Sequence, residues 1–199
     1  MTWHTEPSPM FPYPQGAIMR LLMRSPILAW RMGLGRVLGH VFVLITTTGR
    51  KSGLPRRVVT EYFTYRGKLI VPCAYGVRSD WYRNLMANPL VTVQTWQGAE
   101  SLRAELITSA EEFRALYPVA MRRSPVMLRA YLRSLAIDPE DIEDVIAKRE
   151  RITWFRFEPT EELTPPPLLT DLLWVWVLAL GLILALAWLW HHYTHQSDF

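Results

Sequence analysis

The chain has very little of what builds disulfide frameworks and metal centres. One cysteine, Cys73, stands among 199 residues, which excludes an internal disulfide and a zinc site made from several cysteines. Cys73 lies in an apolar, strand-like stretch, so we interpret it as a small core residue. Three of the five histidines fall in the C-terminal tail, and only His4 and His40 precede it. We therefore predict no metal site and no Ser-His-Asp constellation.

The net excess of positive over negative charge is also small. Against 22 lysines and arginines stand 18 acidic residues, which leaves a net charge of +4. The excess is local and is not interleaved with aromatic residues, a pattern that argues against nucleic-acid binding. It favours an anionic ligand or a lipid surface as the partner.

The C-terminal part contains a run with no charge at all, Leu172–Trp190. As a helix this run measures about 28 Å, close to the thickness of a bilayer core. Tryptophans lie near both of its ends, where indoles prefer the membrane interfaces. We predict a transmembrane anchor over residues 168–192 with a short tail at 193–199. Its position at the C-terminus excludes a signal peptide.

The flanking charges predict the orientation of that anchor. Four basic residues precede the span, and the tail after His191 contains no lysine or arginine. Since positive loops stay in the cytoplasm, we expect the main domain to be cytoplasmic and the protein to lie in the cell membrane. The basic residues are Lys148, Arg149, Arg151 and Arg156.

The N-terminal part divides into an arm and a helix. Residues 1–14 are rich in proline and are predicted to be a flexible arm. Ala17–Leu38 reads as a helix interrupted at Pro26. Arg20, Arg24 and Arg31 fall on one face of it. Such a helix can lie in a membrane interface or pack on the domain, and the sequence leaves both open.

Residues 15–158 are predicted to form one domain that is mainly β with flanking helices. Two tight turns, Arg66-Gly67 and Gln97-Gly98, join hairpin strands, and a short helix from Ser79 to Ala87 lies between the hairpins. A further helix is expected to begin at Asp138, with Pro139 in its first turn. Hairpins favour an antiparallel sheet, so we predict a small barrel followed by a stiff proline-rich linker at 159–167. The predicted strands are Val41–Thr47, Arg57–Tyr65, Lys68–Ala74, Leu90–Trp96, Ala99–Ile107 and Ile152–Phe157.

Two segments carry the candidate chemistry. In Thr46–Arg57 a strand ends in three threonines and is followed by a turn with two glycines. The segment carries four cations, a composition suited to binding phosphate or carboxylate. It lacks the spacing of a Walker P-loop. Gly76–Leu85 leads from a glycine turn into a capped helix whose first turn carries Trp81 and Tyr82. Helix N-termini favour anions, and the aromatic side chains can pack on a flat ring.

Together the segments resemble the deazaflavin-dependent nitroreductase and quinone reductase family, which uses coenzyme F420. The family signature is Thr-Thr-Thr-Gly-Arg-Lys-Ser-Gly-x-Pro-Arg, followed by Asp-Trp-Tyr-x-Asn-Leu-x-Ala-Asn-Pro. Both parts stand here, as Thr46–Arg56 and Asp80–Pro89. The likeness extends from about Trp30 to Phe157 and implies a flavin-reductase-like split β-barrel with F420 bound in a groove beside it.

The resemblance also implies which residues bind the cofactor. Arg50, Lys51 and Arg56 would hold its phosphate and acidic tail, Asn84 would brace the turn, and the rest of the set would line the ring or its linker. It names no catalytic residue, and Tyr62, Tyr75 or solvent could donate the proton. The complete expected set is Thr48, Gly49, Arg50, Lys51, Ser52, Arg56, Gly76, Trp81, Tyr82 and Asn84.

The expected activity is therefore hydride transfer from reduced F420 to a small organic acceptor, for which a quinone is one candidate. Glu61 stands where nitroreducing members of the family carry a tyrosine, so nitroreduction is not expected. Two alternatives stay open: an FMN-dependent reductase of the same fold, and a membrane-bound deazaflavin carrier without turnover. The expected partners are the cofactor, the acceptor and the lipid bilayer, and a homodimer is left open.

Overall fold

The structure is a computed structural model that describes residues 25–195. Within this range, seven strands form one antiparallel sheet with the order β2-β1-β5-β6-β7-β4-β3. The strands are β1 (Phe42–Thr48), β2 (Pro55–Glu61), β3 (Phe63–Tyr65), β4 (Lys68–Pro72), β5 (Leu90–Thr95), β6 (Gly98–Leu106) and β7 (Trp154–Pro159).

The connection between β2 and β3 closes the sheet into a barrel. These strands form the two edges of the sheet, yet only Tyr62 separates them in the chain. The edges must therefore meet, and the mainly antiparallel β fold with flanking helices is confirmed. The segment predicted as a single strand, Arg57–Tyr65, is broken at Tyr62. Its buried hydroxyl donates a hydrogen bond to the carbonyl oxygen of Gly39 at 2.8 Å.

Both predicted hairpins form, but one turn is displaced by a residue. Arg66 and Gly67 have φ values of 50° and 78°, which a two-residue turn between twisted strands requires. In the second hairpin Thr95 pairs with Gly98, so the turn residues are Trp96 and Gln97. The predicted Gln97-Gly98 turn is wrong by one position.

The core has two parts on either side of the curved sheet. The barrel interior is filled by apolar residues of the strands, including Val43, Ile45, Val93 and Phe155. The second part packs helices against the sheet around Trp154. Each fully buried aliphatic or aromatic side chain stabilises the fold by about 1.5–3 kcal/mol, so these two clusters hold the barrel together.

Besides the N-terminal helix, which is described from residue 25 and runs on as a π-helical turn at Trp30–Leu34, five short α-helices accompany the sheet in the described range. They are α1 (Gly35–Leu38), α2 (Asp80–Ala87), α3 (Ala110–Arg123), α4 (Pro125–Ser134) and α5 (Ile142–Ala147). The helix expected to begin at Asp138 begins instead at Ile142. Asp141 provides the cap, since its side chain accepts a hydrogen bond from the backbone N–H of Glu143 at 2.9 Å.

The N-terminal helix is kinked at Gly33, and the predicted interruption at Pro26 falls at the edge of the described residues. Residues 25–29 are helical and include Pro26. The break is at Gly33, where φ is 85° and a Cβ would lie 2.7 Å from Cδ2 of Leu173. Glycine is favoured there because its φ lies in the left-handed region, and a Cβ would also require the end of the Leu173 side chain to shift. The predicted arm at 1–14, together with Arg20 and Arg24, lies outside the described residues.

The proline-rich segment before the C-terminal helix lies along the barrel, and we call residues 160–172 the strap. The Gln94 side chain makes two hydrogen bonds to the backbone of Leu168, at 3.1 and 2.6 Å. The Thr92 hydroxyl lies 2.8 Å from that of Thr164 and also donates to the carbonyl of Pro165. The strap is therefore bound to β5 of the barrel and does not act as a free spacer.

The C-terminal helix α6 (Trp174–His195) begins against the N-terminal helix. Arg31 makes a bidentate ion pair with Asp171, at 2.8 and 2.6 Å, and holds the pKa of that carboxyl below its usual value. The indole of Trp176 donates to the carbonyl of Met32 at 2.8 Å. Within α6, Trp174–Tyr193 has a mean hydropathy of 1.9, none of it is buried, and it is long and apolar enough to cross a membrane.

The strap defines two ends of the barrel. Since Thr164 lies by Thr92 and Leu168 by Gln94, the strap runs parallel to β5 and delivers α6 at the end where β5 finishes. We call this the proximal end; antiparallel pairing puts the start of β1 and the end of β2 there too. The turn between Thr48 and Pro55 lies at the distal end, about 20 Å away along β1.

The strap contacts generate a prediction about local stability. Gln94→Ala removes both hydrogen bonds to Leu168, so opening of the strap should become easier by about 1–3 kcal/mol, or roughly 5- to 150-fold. Limited proteolysis should then cleave residues 160–172 faster by that factor while the barrel stays intact. Gln97→Ala, in the adjoining turn, is the matched control and should leave the cleavage rate unchanged. Equal rates in both variants would show that the strap is held by other contacts.

Candidate functional site

The turn between β1 and β2 is closed by its own backbone. Gly49 N–H donates to the carbonyl of Leu54 at 2.9 Å, and Gly53 N–H donates to the carbonyl of Gly49 at 2.8 Å. A Cβ at Gly49 would lie 2.8 Å from the Ser52 hydroxyl and 3.1 Å from Cγ of Arg56. The glycine therefore lets the turn fold tightly, so that Lys51 and Arg56 project from a small, fixed base.

Asn84 joins this turn to helix α2. Its side chain is buried, and its Oδ1 accepts from the backbone N–H of Arg50 at 3.2 Å and from Nη1 of Arg50 at 3.1 Å. Its Nδ2 donates to the Thr47 hydroxyl at 3.1 Å. The guanidinium of Arg50 also pairs with Asp80 at 3.0 Å. One amide thus fixes the two sequence segments against each other, and Arg50 is engaged by protein groups.

A groove of about 1040 Å³ runs along β2 between the turn, α2 and the N-terminal helix. It is walled by the cationic turn at the distal end and by Ile27 and Leu28 on the flank of the N-terminal helix. Val58, Val59 and Thr60 continue the wall along β2. The remaining lining residues are Gly49, Arg50, Lys51, Ser52, Pro55, Arg56, Arg57, Pro72, Ala74, Tyr75, Ser79, Asp80, Trp81 and Asn84.

The charges in this groove are unbalanced. Asp80 is its one acidic lining residue within the part of the chain described, and Arg50 already pairs with it. Lys51, Arg56 and Arg57 have no carboxylate partner among residues 25–195; Arg56 makes a 3.3 Å hydrogen bond to the Ser52 hydroxyl. Nε of Arg57 is buried without a hydrogen-bond partner. Three cations that line one groove without a carboxylate partner suit a ligand that brings several negative charges.

Most, but not all, of the expected cofactor residues line the groove. Thr48, Gly76 and Tyr82 are not among the lining residues. Tyr82 is buried in the barrel core, with its ring 5.8 Å from that of Phe155, because neighbouring positions on a helix point about 100° apart and Trp81 takes the groove side. Gly76 is buried in a 3₁₀ turn with φ of 48°, and Thr48 is paired with Pro55 at the end of β1. The expected residues that do line the groove are Gly49, Arg50, Lys51, Ser52, Arg56, Trp81 and Asn84.

Several lining residues were not predicted. Arg57 was counted among the four cations of the turn but was not assigned to the ligand, and its buried Nε makes it the more specific candidate. Val59 and Thr60 were also missed. The missing signal is topological, because β2 is an edge strand and the groove runs along it. Only knowledge of the strand order would have identified these positions.

The two candidate proton donors differ in position. Tyr75 lines the groove, whereas the hydroxyl of Tyr62 is buried and bonded to Gly39, and burial raises its pKa. Glu61 is exposed at the end of β2 and is not a lining residue. Cys73 is buried as predicted, and burial raises the pKa of its thiol to about 12. Among residues 25–195 no three histidine, cysteine or acidic side chains are grouped as metal ligands.

The chain is similar to proteins of known class. A model of the family described as F420H(2)-dependent quinone reductase matches residues 30–132, just over half of the chain. Among solved structures, an F420-H2 dependent reductase (FDR-A) shares 26% identity over 59% of this chain and 93% of that chain, with a TM-score of 0.46. HutZ, a heme storage protein from Vibrio cholerae, shares 13% identity over 73% and 96%, with a TM-score of 0.41.

The family match decides between the cofactors considered above. It spans the whole of both signature segments, Thr46–Arg56 and Asp80–Pro89, and so covers the turn, the bracing helix and β2. The family is defined by dependence on F420, which leaves the FMN alternative without support. The chain belongs to the F420H(2)-dependent quinone reductase family and is an oxidoreductase.

Proposed function

We propose that this protein is a membrane-anchored reductase that passes a hydride from reduced F420 to a quinone dissolved in the bilayer, with its barrel on the cytoplasmic side. The observation that carries the proposal is the course of the groove. It starts at the cationic turn of the distal end and reaches Ile27 and Leu28, about one helical turn before the residues that contact α6.

Three cations would bind the anionic part of the cofactor. Lys51 and Arg56 extend from the turn, and Arg57 follows on β2 as a further lining residue. Charge-assisted hydrogen bonds of this kind contribute about 1.5–3 kcal/mol each. Arg50 has a different role, because its ion pair with Asp80 and its contacts with Asn84 keep the turn in the shape that presents the other three.

Trp81 and Tyr75 would position the ring. Trp81 is half-buried, and its indole lies 5.6 Å from the ring of Phe155, which fixes its orientation at the groove wall. Reduced F420, when bound, supplies the hydride from its deazaflavin ring. The chain would contribute orientation and exclusion of water, because Val58, Val59 and Pro72 surround the middle of the groove with apolar surface.

Reduction of a quinone to a quinol consumes one hydride and one proton. Tyr75 is the tyrosine at the groove wall, and its phenolic O–H could deliver that proton and recover it from solvent. Tyr62 would not serve, because its hydroxyl is buried and donates to the Gly39 carbonyl.

The strap and α6 would keep the groove close to lipid. With α6 in a bilayer, the proximal end of the barrel faces the membrane and the cationic turn faces away from it. A lipid-soluble acceptor would then be met at a high local concentration, and the apolar flank at Ile27 and Leu28 would admit it.

The cofactor assignment predicts the effect of removing single cations. Lys51→Ala, Arg56→Ala and Arg57→Ala should each weaken F420 binding about 10- to 150-fold, as measured by fluorescence quenching of the cofactor. The losses at the exposed Lys51 and Arg56 should shrink with added salt. Arg133→Ala, an exposed cation on α4, is the control. Unchanged affinity in all three groove variants would assign the anionic tail to another surface.

The brace predicts a combined loss of stability and binding. Asn84→Ala removes three hydrogen bonds from a buried position and should destabilise the fold by about 1–3 kcal/mol in chemical denaturation. Cofactor affinity should fall with it, because the turn is no longer held to α2. Asn84→Asp keeps an acceptor for Arg50 and should recover part of the affinity. Asn88→Ala, at the end of the same helix, should leave F420 affinity intact.

The acceptor assignment predicts surface dilution. At fixed amounts of full-length protein and long-tailed quinone, added lipid in the same proteoliposomes should lower the single-turnover oxidation rate of reduced F420. The rate should follow the mole fraction of quinone in the bilayer. A water-soluble quinone analogue should be reduced at a rate that does not change with lipid. If both acceptors behave alike, the groove takes its acceptor from water. No oxidation of bound cofactor by any quinone would favour the carrier.

A further inference from the structure

The proximal end of the barrel carries an exposed surface that none of the groove chemistry uses. Its apolar part is unusually open for a globular domain: Val37 is 70% exposed, Val41 42% and Trp96 45%. Arg36, Arg122 and Arg123 border it, and all three side chains are exposed. We call these six residues the proximal patch.

Contacts between separate elements hold the proximal patch together. The Trp96 ring stacks on that of His40 at 4.8 Å, and Arg123 donates to the His40 carbonyl at 3.3 Å. A Cβ at Gly39 would lie 2.2 Å from the backbone nitrogen of Trp96, so α1 and the β5–β6 turn are in direct backbone contact. The patch is therefore a fixed surface built from α1, the turn and the end of α3.

The patch also continues the start of α6. Trp96 lies two residues beyond Gln94, which binds the strap three residues before Asp171. Val37 lies five residues beyond Met32, whose carbonyl accepts from Trp176 in the first turn of α6. If α6 spans a bilayer, its first turn lies at the interface, and the patch is at most about 18 Å away along the chain.

We infer that the proximal patch rests on the surface of a bilayer that contains anionic lipid. Exposed tryptophan and valine suit the interfacial region, and each arginine near an anionic surface favours binding by a factor of roughly five. Val126 and Met127, exposed in the first turn of α4 and three and four residues after Arg123, extend the same composition. Among residues 25–195 the exposed acids at this end include Glu61, Glu100 and Asp171. Asp171 is paired with Arg31, so the three arginines of the patch outnumber the two other acids.

The inference rests on the proposed membrane anchor but goes beyond it. The docked strap fixes where α6 leaves the barrel, but α6 alone makes no contact between the barrel surface and the lipid. A second contact at the proximal patch would fix the barrel against the membrane, with the flank of the groove at Leu28 held at a constant height above the lipid. The inference is independent of the cofactor and of the acceptor.

Depth-sensitive labelling of the full-length protein tests it. Single cysteines introduced as Val37→Cys, Leu54→Cys and Leu182→Cys carry an environment-sensitive fluorophore in vesicles of phosphatidylcholine with and without phosphatidylglycerol. Leu54 is 59% exposed at the distal end and serves as the matched control, and Leu182 reports the middle of α6. The native Cys73 is 1% exposed and should not be labelled.

With phosphatidylglycerol present, the label at position 37 should shift to the blue and lose intensity to lipids that carry a nitroxide near the headgroup. The label at position 54 should do neither. Arg36→Glu with Arg122→Glu should remove the response at position 37, and lysine at both positions should retain it. Without phosphatidylglycerol the response should be weaker.

Three other results would each contradict a specific part of the proposal. Quenching at position 182 by deep nitroxides without any response at position 37 would refute the patch and leave the anchor standing. No quenching at position 182 would refute the anchor. A blue shift at position 37 that grows with protein density and is insensitive to nitroxide lipids would identify a second copy of the chain as the partner.

Discussion

The closure of the barrel between β2 and β3 is the constraint on which the other features depend. Because one residue, Tyr62, joins the two edges of the sheet, β2 cannot pair on its outer side and remains an open edge beside which the groove forms. The same tyrosine reaches Gly39 and so attaches the end of the N-terminal helix to the closure point. Gly39 in turn touches the β5–β6 turn, and residues 31–33 touch the start of α6. Barrel closure, groove and C-terminal helix are thus linked through a few adjoining contacts.

The cations of the signature turn divide into one that shapes the site and three that are left for a ligand. Arg50 is bound by Asp80 and Asn84, so its charge is compensated by the protein. Lys51, Arg56 and Arg57 lack such compensation within the described chain, and one N–H of Arg57 is buried without a partner. An unsatisfied buried donor costs free energy in the empty site, and a bound anion would recover it. Sequence composition counts four equal charges, whereas the contacts show two different roles.

What the sequence predicted well was local. The Arg66-Gly67 turn needs positive φ values at two neighbouring residues, and the dipeptide by itself indicates this. The helix from Asp80 and the uncharged C-terminal run are likewise encoded in short windows. The signature segments identified seven lining residues of the groove, because a family resemblance carries information about tertiary structure that periodicity lacks.

What the sequence did not predict depends on distant partners. The break at Tyr62 reflects barrel closure and a bond to Gly39, and the kink at Gly33 reflects the approach of Leu173. Asp138 looks like a cap, but Asp141 takes that role once Pro139 packs into the fold. In each case a tertiary contact overrides a sound local rule.

The strap changes how a membrane helix would act on the domain it carries. A free linker of about ten residues lets its domain sample orientations over a radius of roughly 15–20 Å, and a groove on that domain faces lipid only part of the time. Here Thr92, Gln94 and Arg31 fix the chain along β5 up to the first turn of α6. The hydrogen bonds of the strap thus offset the conformational entropy lost when it is ordered. Binding of an acceptor need not offset that entropy loss again. A docked strap therefore favours a site whose distance and angle to the bilayer are set by the barrel itself.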